Sequence, residues 1–570
     1  MSVLPPRAAA GSLTATSLLP ELRAIVGSRH VVTGERATER YRTGFRFGSG
    51  AALAVVRPGT LLQMWQVLET CIAANAIIIP QASNTGLTGG STPFGSNYGR
   101  DVIIISTTRL EKIQLIQQGA QVICHAGATL HRLERLLQPL GREPHSVLGS
   151  SCLGATVIGG LCNNSGGALT RRGPAYTEMA LFAQVDEHGG LHLVNHLEVE
   201  LGADPIEMLR RLDNGDIPER DIRHGTRCAS NSRYQSDVRE IDADTPARFN
   251  ANPACLYEAA GSAGKVLVFA ARFDTFPAER NTAVFYIGSN RPEDFTAIRR
   301  ALLSSDADLP IAGEYIHRDA YDLAERYGKD TFLLVRHLGT ARLPWFFALK
   351  NRTESLCRRA GLPRSLIDRI LQRLASLWPR HLPARMTDYR ARFEHHLLLQ
   401  VGPTTSAMTR ALLDGLRRSD VTEYFECSKD EAARAFLHRF AVAGAAVRYR
   451  ALYPQALQDI VALDIALRRN DPTWFEQLPA DIRQSLVMSL YYGHFLCHVF
   501  HQDYLVKPGV DVKTVKDALC RFQDGRGAEY PAEHNVGHLY AAKPALARFY
   551  AALDPTGTFN PAIGDISPSS

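Results

Sequence analysis

No stretch of about 18 uninterrupted apolar residues occurs anywhere in the chain, so nothing in it reads as a membrane span. The first twenty residues are interrupted by Pro5 and Pro6 and lack the apolar core of a signal peptide. Ten cysteines are scattered from Cys71 to Cys520 with no CxxC pair. That excludes a zinc ribbon or a thioredoxin-type site and favours a reducing compartment. There is no internal repeat and no low-complexity tract. With 45% hydrophobic and 21% charged residues, disorder, collagen and coiled coil are excluded too. What remains is a globular chain of 570 residues, enough for two to four domains.

Residues 52–106 alternate in type. An apolar strand at 52–57 ends in Pro58-Gly59, residues 61–75 carry helical spacing, and a buried strand at 76–80 precedes a loop and a further strand at 101–106. The loop reads Pro80-Gln81-Ala82-Ser83-Asn84-Thr85-Gly86-Leu87-Thr88-Gly89-Gly90-Ser91. Its glycines let backbone N–H groups approach an anion, and Asn, Thr and Ser add donors, as in a pyrophosphate cradle. It is neither GxGxxG nor a GK[ST] loop. A second glycine-rich stretch spans 149–167. Two such loops in an α+β setting suit a dinucleotide with two phosphates. Strand-like runs recur near 180–202 and 264–274, and residues 295–525 turn to longer helical segments rich in Arg, Leu and Ala.

These stretches resemble the FAD-binding fold of the vanillyl-alcohol oxidase superfamily, of p-cresol-methylhydroxylase (PCMH) type. The first loop matches at residues 82–86 with Gly90 and Ser91, the second at 149–167, and the C-terminal signature at Asp554-Pro555 and Asn560-Pro561-Ala562, with Ala where Gly is usual. Within that superfamily, GREPHSVLGSS at 141–151, GPAYTE at 173–178, and residues 396–399, 491–504 and 531–540 are similar to the quinone-dependent D-lactate dehydrogenases of bacterial inner membranes. The resemblance covers all but the first 15 or so residues. It implies FAD contacts at Ala82, Ser83, Asn84, Thr85, Gly86, Gly90, Ser91, Gly149, Thr156, Gly166 and Val268. Covalent attachment in this superfamily uses a His in the first loop; none lies in 80–100, so non-covalent FAD is expected. The implied activity is oxidation of D-lactate, with electrons passed to membrane quinone, on the cytoplasmic face of the inner membrane. Two alternatives stay open. One is another FAD-dependent 2-hydroxy-acid dehydrogenase or oxidase, acting on glycolate or 2-hydroxyglutarate; the other is a basic surface-binding protein with a non-catalytic FAD fold.

Oxidising a 2-hydroxy acid needs a base for the hydroxyl proton, a cation for the carboxylate and a hydride acceptor. Three His clusters are candidates: Glu394-His395-His396, His494 with His501, and Glu533-His534. In related dehydrogenases, a pair of His with the spacing of His494 and His501 is joined by a later Glu-His, here Glu533-His534. The expected catalytic residues are therefore His534, as base, with Glu533, His494 and His501, while His395 and His396 are equally well read as packing. Some relatives hold a divalent metal on two such His and the Glu; no metal is taken as part of the site here. Arg392, Arg439 and Arg42 are candidates for the carboxylate clamp.

Residues 318–392 hold sixteen Lys/Arg against seven Asp/Glu, a surplus of nine that exceeds the net +6 of the whole chain. Leu343, Pro344, Trp345, Phe346, Phe347, Leu374, Leu377 and Trp378 add apolar side chains to the same segment. The combination predicts attachment to the anionic lipid surface of a membrane. No zinc finger, RNP or helix-turn-helix motif accompanies it, so nucleic acid is not expected as a partner. The expected fold is α+β in three parts. A PCMH-type FAD-binding domain is built from both chain ends, 1–274 and 525–570, with its core at about 48–219. An α+β cap (substrate) domain takes 275–316, 393–430 and 456–524. A helical basic membrane-binding segment takes 317–392 and 431–455.

Overall fold

The structure, a computed structural model, describes residues 15–146, 154–338, 353, 366–377 and 380–565. Strands β1 (Val31–Val32) and β2 (Ala54–Val56) lead into a helix, Leu61–Ala73, capped by the Thr60 hydroxyl, which accepts from the Gln63 N–H at 3.0 Å. β3 (Ile77–Gln81) and β4 (Val102–Ser106) follow, and the sheet order is β1-β2-β4-β3, with β2 and β3 parallel to β4. A parallel sheet is covered on both faces, which is why residues 77–79 and 102–105 are buried without alternation. The first glycine-rich loop leaves the carboxyl end of β3, where open parallel sheets receive ligands.

A second sheet contains β5 (Ile113–Ile116), β6 (Gln121–His125), β7 (Arg142–Pro144), β8 (Ala180–Val185), β9 (Leu191–Asn195) and β10 (Leu267–Pro277). Its order is β5-β6-β10-β8-β9, with β7 paired to the far end of β10. The C-terminus closes back on the first sheet: Ile78 bridges to Phe559, and the Asn560 side chain donates to the carbonyls of Gly90 (2.7 Å) and Ala263 (3.0 Å).

The third sheet is antiparallel and seven-stranded: β11 (Ala283–Ser289), β12 (Ala312–His317), β13 (His395–Val401), β14 (Thr422–Glu426), β15 (Ile460–Ala466), β16 (Leu486–His494) and β17 (Val499–Val506). Its order is β14-β11-β13-β12-β16-β17-β15. Both faces are covered. Along β13, Leu397, Leu399 and Val401 enter one core with Phe295 and Trp474, while Leu398 enters another with Ile316, Tyr321 and Tyr492. That second core is completed by helices Arg318–Tyr327, Lys429–Phe440 and Val442–Leu452.

Helix Leu366–Leu377 belongs to the basic segment. It leaves Ile370, Leu374 and Leu377 exposed (45%, 58% and 81%) on one stripe, beside Arg369 and Arg373. Leu343, Pro344, Trp345, Phe346, Phe347 and Trp378 lie outside the described residues, as does Gly149. Among the described residues, no helix is long and apolar enough to cross a membrane.

Candidate active site

Four neighbouring strands of the third sheet each place one ionisable side chain in a common row. Glu314 on β12 pairs directly with His494 on β16, and His501 on β17 pairs directly with Asp464 on β15. His494 and His501 flank a tight turn and sit diagonally across the β16–β17 ladder, on the same face. The turn residues Phe495, Leu496 and Cys497 are buried in the core. They set the spacing of the two imidazoles and do not compete with them for the site.

Each imidazole is pinned from behind by a carboxylate. His494 Nδ1 lies 2.5 Å from Glu314 Oε1, and His501 Nδ1 lies 3.1 Å from Asp464 Oδ1. The two Nε2 atoms are then turned toward each other, 3.4 Å apart. Residues 529–533 run back along β15 through an Ala466–Glu529 bridge, and the Glu533 N–H donates to Asp464 Oδ2 at 2.6 Å. This delivers Glu533 Oε2 to 3.5 Å from His494 Nε2 and 3.8 Å from His501 Nε2. The other Glu533 oxygen is ion-paired with Arg248, a guanidinium only 1% exposed.

The electrostatics follow from this enclosure. Burial opposes the His494 charge, but Glu314 and Glu533 on its two sides overcome that and push it up to about 10. Burial also opposes the charge of Glu533, yet Arg248 and His494 hold its carboxyl well below the ordinary range. Glu314 is treated likewise by His494 and Arg439, whose Nη2 stands 3.1 Å from Glu314 Oε2. Without an ion the cluster is a closed charge network. One ligand atom each from His494, His501 and Glu533 lies within 4.8 Å of the others, so the same three side chains fit a divalent cation. Two imidazoles and a carboxylate, each imidazole backed by its own carboxylate, suit zinc or manganese.

His534 stands on the far side of Asp464, with Nε2 3.6 Å from Asp464 Oδ2 and its side chain 29% exposed. It is the more accessible imidazole beside the row. The next residue, Asn535, ties the two glycine-rich loops together: it accepts from the Thr88 hydroxyl at 3.0 Å and donates to the Asn163 side chain. The loops also meet where the Ser83 hydroxyl donates to the Gly154 carbonyl. Asn84, in a left-handed turn at φ 53°, donates to the Thr43 carbonyl at 2.8 Å and accepts from the Ser91 hydroxyl at 3.1 Å. A Cβ at Gly90 would collide with Asn535, and one at Gly166 with the Glu533 carboxylate. These glycines thus seat the cradle directly on the catalytic candidates. Within it, the buried oxygen Asn164 Oδ1 accepts no hydrogen bond from the described residues. A buried polar atom left open in this way fits a ligand carrying its own hydrogen-bonding groups, as FAD does. Ala82, Thr85 and Gly86 lie in the first loop, Thr156 caps the helix Val157–Cys162, and Val268 is a core residue of β10 beside that helix.

Of the expected side chains, then, Glu533, His534, His494 and His501 come together. His395 and His396 do not join them. His395 accepts or donates at 2.7 Å with Tyr315 Oη, and His396 is sealed between Tyr286 and Tyr321. Of the three candidate arginines, Arg392 and Arg42 are engaged elsewhere, while Arg439 stands at the end of the row. Arg392 forks onto Glu423 at 3.0 Å on each arm, Arg42 donates to the Gly50 carbonyl and Thr38, and Arg439 braces Glu314. Sequence reasoning missed Glu314, Asp464 and Arg248. For the first two a signal existed, a lone carboxylate in an otherwise apolar strand; for Arg248 there was none.

Residues 284–570 match the family described as D-lactate dehydrogenase, membrane binding, and residues 52–186 match an FAD binding domain. Over 561 residues and 98% of both chains, this chain is 54% identical to the quinone-dependent D-lactate dehydrogenase of Escherichia coli (strain K12). It is 45% identical over 563 residues, again 98% of both chains, to the enzyme of the same description from Corynebacterium glutamicum. Among solved structures, p-cresol methylhydroxylase with substrate bound superposes over 99% of each chain at 11% identity and a TM-score of 0.54, a likeness of fold alone.

Proposed function

The chain belongs to the quinone-dependent D-lactate dehydrogenases, FAD oxidoreductases with a membrane-binding region, and on that premise we propose which of its residues do the work. The enzyme oxidises D-lactate to pyruvate and hands the electrons to quinone. The p-cresol-methylhydroxylase-type fold holds FAD between the two glycine-rich loops, in a domain built from residues 1–274 and 525–570. FAD, when bound, supplies the hydride acceptor at N5. Residues 275–316, 393–430 and 456–524 form the cap, and 317–392 with 431–455 meet the membrane.

His494, His501 and Glu533 anchor the hydroxy-carboxylate, and His534 takes the hydroxyl proton, with Asp464 orienting its ring. The single observation that carries this reading is the row Glu314–His494–His501–Asp464, which aims two pinned imidazoles at one carboxylate. A proton acceptor must be reachable by substrate. His534 is the reachable imidazole, whereas Glu533 is locked by Arg248. The test is His534→Ala in a stopped-flow instrument. FAD content should be unchanged and flavin bleaching by D-lactate slower by about 10²–10⁴-fold; a rate near that of the wild type removes His534 from the role.

Attachment is to the anionic surface of the cytoplasmic leaflet. The exposed stripe Ile370–Leu374–Leu377 beside Arg369 and Arg373 supports this, since apolar side chains enter the interface while guanidinium groups stay at the headgroups.

A further inference from the structure

The acceptor side of the reaction has no residues assigned to it, and one surface feature of the FAD domain fits it. Between the helix Glu35–Arg42 and β2, residues 43–49 form a loop that packs on the outside of the first glycine-rich loop. A Cβ on Gly89 would collide with the backbone at Phe47, and Asn84 holds the Thr43 carbonyl. Since Ser83 binds Gly154 on the other side, the phosphate loop lies between the second glycine-rich stretch and residues 43–49. Thr43, Gly44, Arg46, Phe47, Gly48 and Phe94 line an open groove of about 250 Å³ there.

The lining is unusual for a water-facing surface. Phe47 and Phe94 stack at 6.0 Å and 23°, and Phe94 stacks on His538 at 4.8 Å and 12°. His538 stands between the carbonyls of Thr92 (2.9 Å) and Ala562 (3.2 Å) and donates its one N–H to one of them, which ties the plate to the FAD domain. Phe94 keeps 47% of its surface exposed despite these stacks, and the neighbouring Phe45 is 53% exposed, so the plate continues into an apolar surface. Arg46 is exposed and makes no hydrogen bond or ion pair with the described residues. Its charge reaches the buried Asp503 and Tyr492 of the third sheet. Tyr492 in turn packs in the core shared with the helices of the membrane-binding region. The groove therefore lies against the first glycine-rich loop, with the third sheet within reach of the Arg46 charge.

We propose that this groove is the docking site for the quinone headgroup, with the ring laid against Phe47 and Phe94 and a carbonyl oxygen accepting from Arg46. The proposal rests on the quinone acceptor of the reading above. A flat, electron-poor ring with acceptor oxygens matches an aromatic plate beside an unpaired five-donor guanidinium. The volume suits one ring system with its tail outside, and is too small for a dinucleotide. The quinone takes two electrons and two protons and leaves as quinol, the same number that D-lactate gives up in becoming pyruvate.

The experiment uses purified FAD-loaded enzyme and the variants Arg46→Gln and Phe94→Ala, both at exposed positions. Enzyme reduced anaerobically is mixed with a short-chain ubiquinone or, separately, with ferricyanide, and an azido-quinone is photolinked to the oxidised protein and mapped by mass spectrometry. The expected result is reoxidation by quinone slowed about tenfold in each variant. Reoxidation by ferricyanide and reduction by D-lactate should stay within about twofold. The label should fall on peptides containing residues 43–49 or Phe94, and be lost in the variants. Unchanged quinone rates in both variants, or label placed elsewhere, overturns the site. Slower reduction by D-lactate with normal quinone rates overturns it in favour of Arg46 as a substrate residue. A wild-type enzyme that D-lactate bleaches but quinone does not reoxidise contradicts the acceptor itself, and the site with it.

Discussion

Replacing Glu533 by Gln preserves the shape of the side chain and removes its charge, and the consequences fall on two neighbours. Arg248 is 1% exposed, and its other direct partner among the described residues is the Gly167 carbonyl, 2.7 Å away. Its Nε and Nη1 atoms already have none. Removing one member of a buried ion pair costs about 3–5 kcal/mol, and an amide that still accepts one hydrogen bond places the loss near the lower end. On the other side, His494 and His501 lose the carboxylate on which they converge, at 3.5 and 3.8 Å. The interaction is buried and aimed at the reacting group, so its removal should slow flavin bleaching by D-lactate about 10²–10³-fold. Two assays separate the effects: the temperature at which FAD fluorescence is released, and the single-turnover rate under argon. The double variant Arg248→Met/Glu533→Leu removes both charges and should recover most of the stability but none of the rate. A Glu533→Gln enzyme with wild-type stability and wild-type bleaching would refute the buried network as described.

Acid precipitation should leave the flavin in the supernatant, since no His lies in 80–100 to hold it covalently; flavin in the pellet would show a bond. Against the expectation of a metal-free site, the geometry of His494, His501 and Glu533 predicts that, after dialysis against a chelator, the enzyme takes up one zinc or manganese ion per chain and releases a proton. With His494 pushed up to about 10 in the ion-free cluster, protons compete, so uptake should tighten as pH rises toward that value; calorimetry showing no uptake would remove the cation. The same shift has a stability consequence for the ion-free protein. The folded value lies above the ordinary value of about 6.5, so the stabilisation from the His494 pairs is complete below that pH and lost as pH rises through about 10. A melting temperature flat from pH 7 to 10 would contradict it. Leu374→Glu/Leu377→Glu should abolish flotation with anionic vesicles at low salt while leaving bleaching by D-lactate intact; unchanged flotation would free the stripe from the membrane role.

The strand–helix–strand order of residues 54–106 was legible because strand and helix periods differ and proline and glycine mark the turns. The first phosphate loop was legible for the same reason, since its glycines and hydroxyl residues have no use in a core. The hairpin joining His494 to His501 was harder. Phe495, Leu496 and Cys497 look like core residues, and they are, but they are core residues of a turn. Only the register shows that the flanking imidazoles share a face. Glu314 and Asp464 were in view as single charges in AGEYIH and VALDIA, and a buried charge in a strand demands a partner. Their partners are 180 residues away for Glu314 and 37 for Asp464, along the chain, and strand order cannot be read from composition. Arg392 was one of three arginines among which the sequence could not choose a clamp; its neighbours in space are Glu423, Asp388 and Asp420, beside the edge strand β14.

The central claim is that this enzyme takes hydride from D-lactate with its own set of residues and gives up electrons to quinone. An anaerobic titration of the purified yellow protein with D-lactate, L-lactate, glycolate and 2-hydroxyglutarate, followed by a quinone analogue, addresses it in one cuvette. The account predicts full bleaching of the flavin band by D-lactate, little by the other three, and full recovery of colour on adding the quinone. Bleaching by another 2-hydroxy acid in preference to D-lactate, or a bleached enzyme that the quinone leaves colourless, would contradict it.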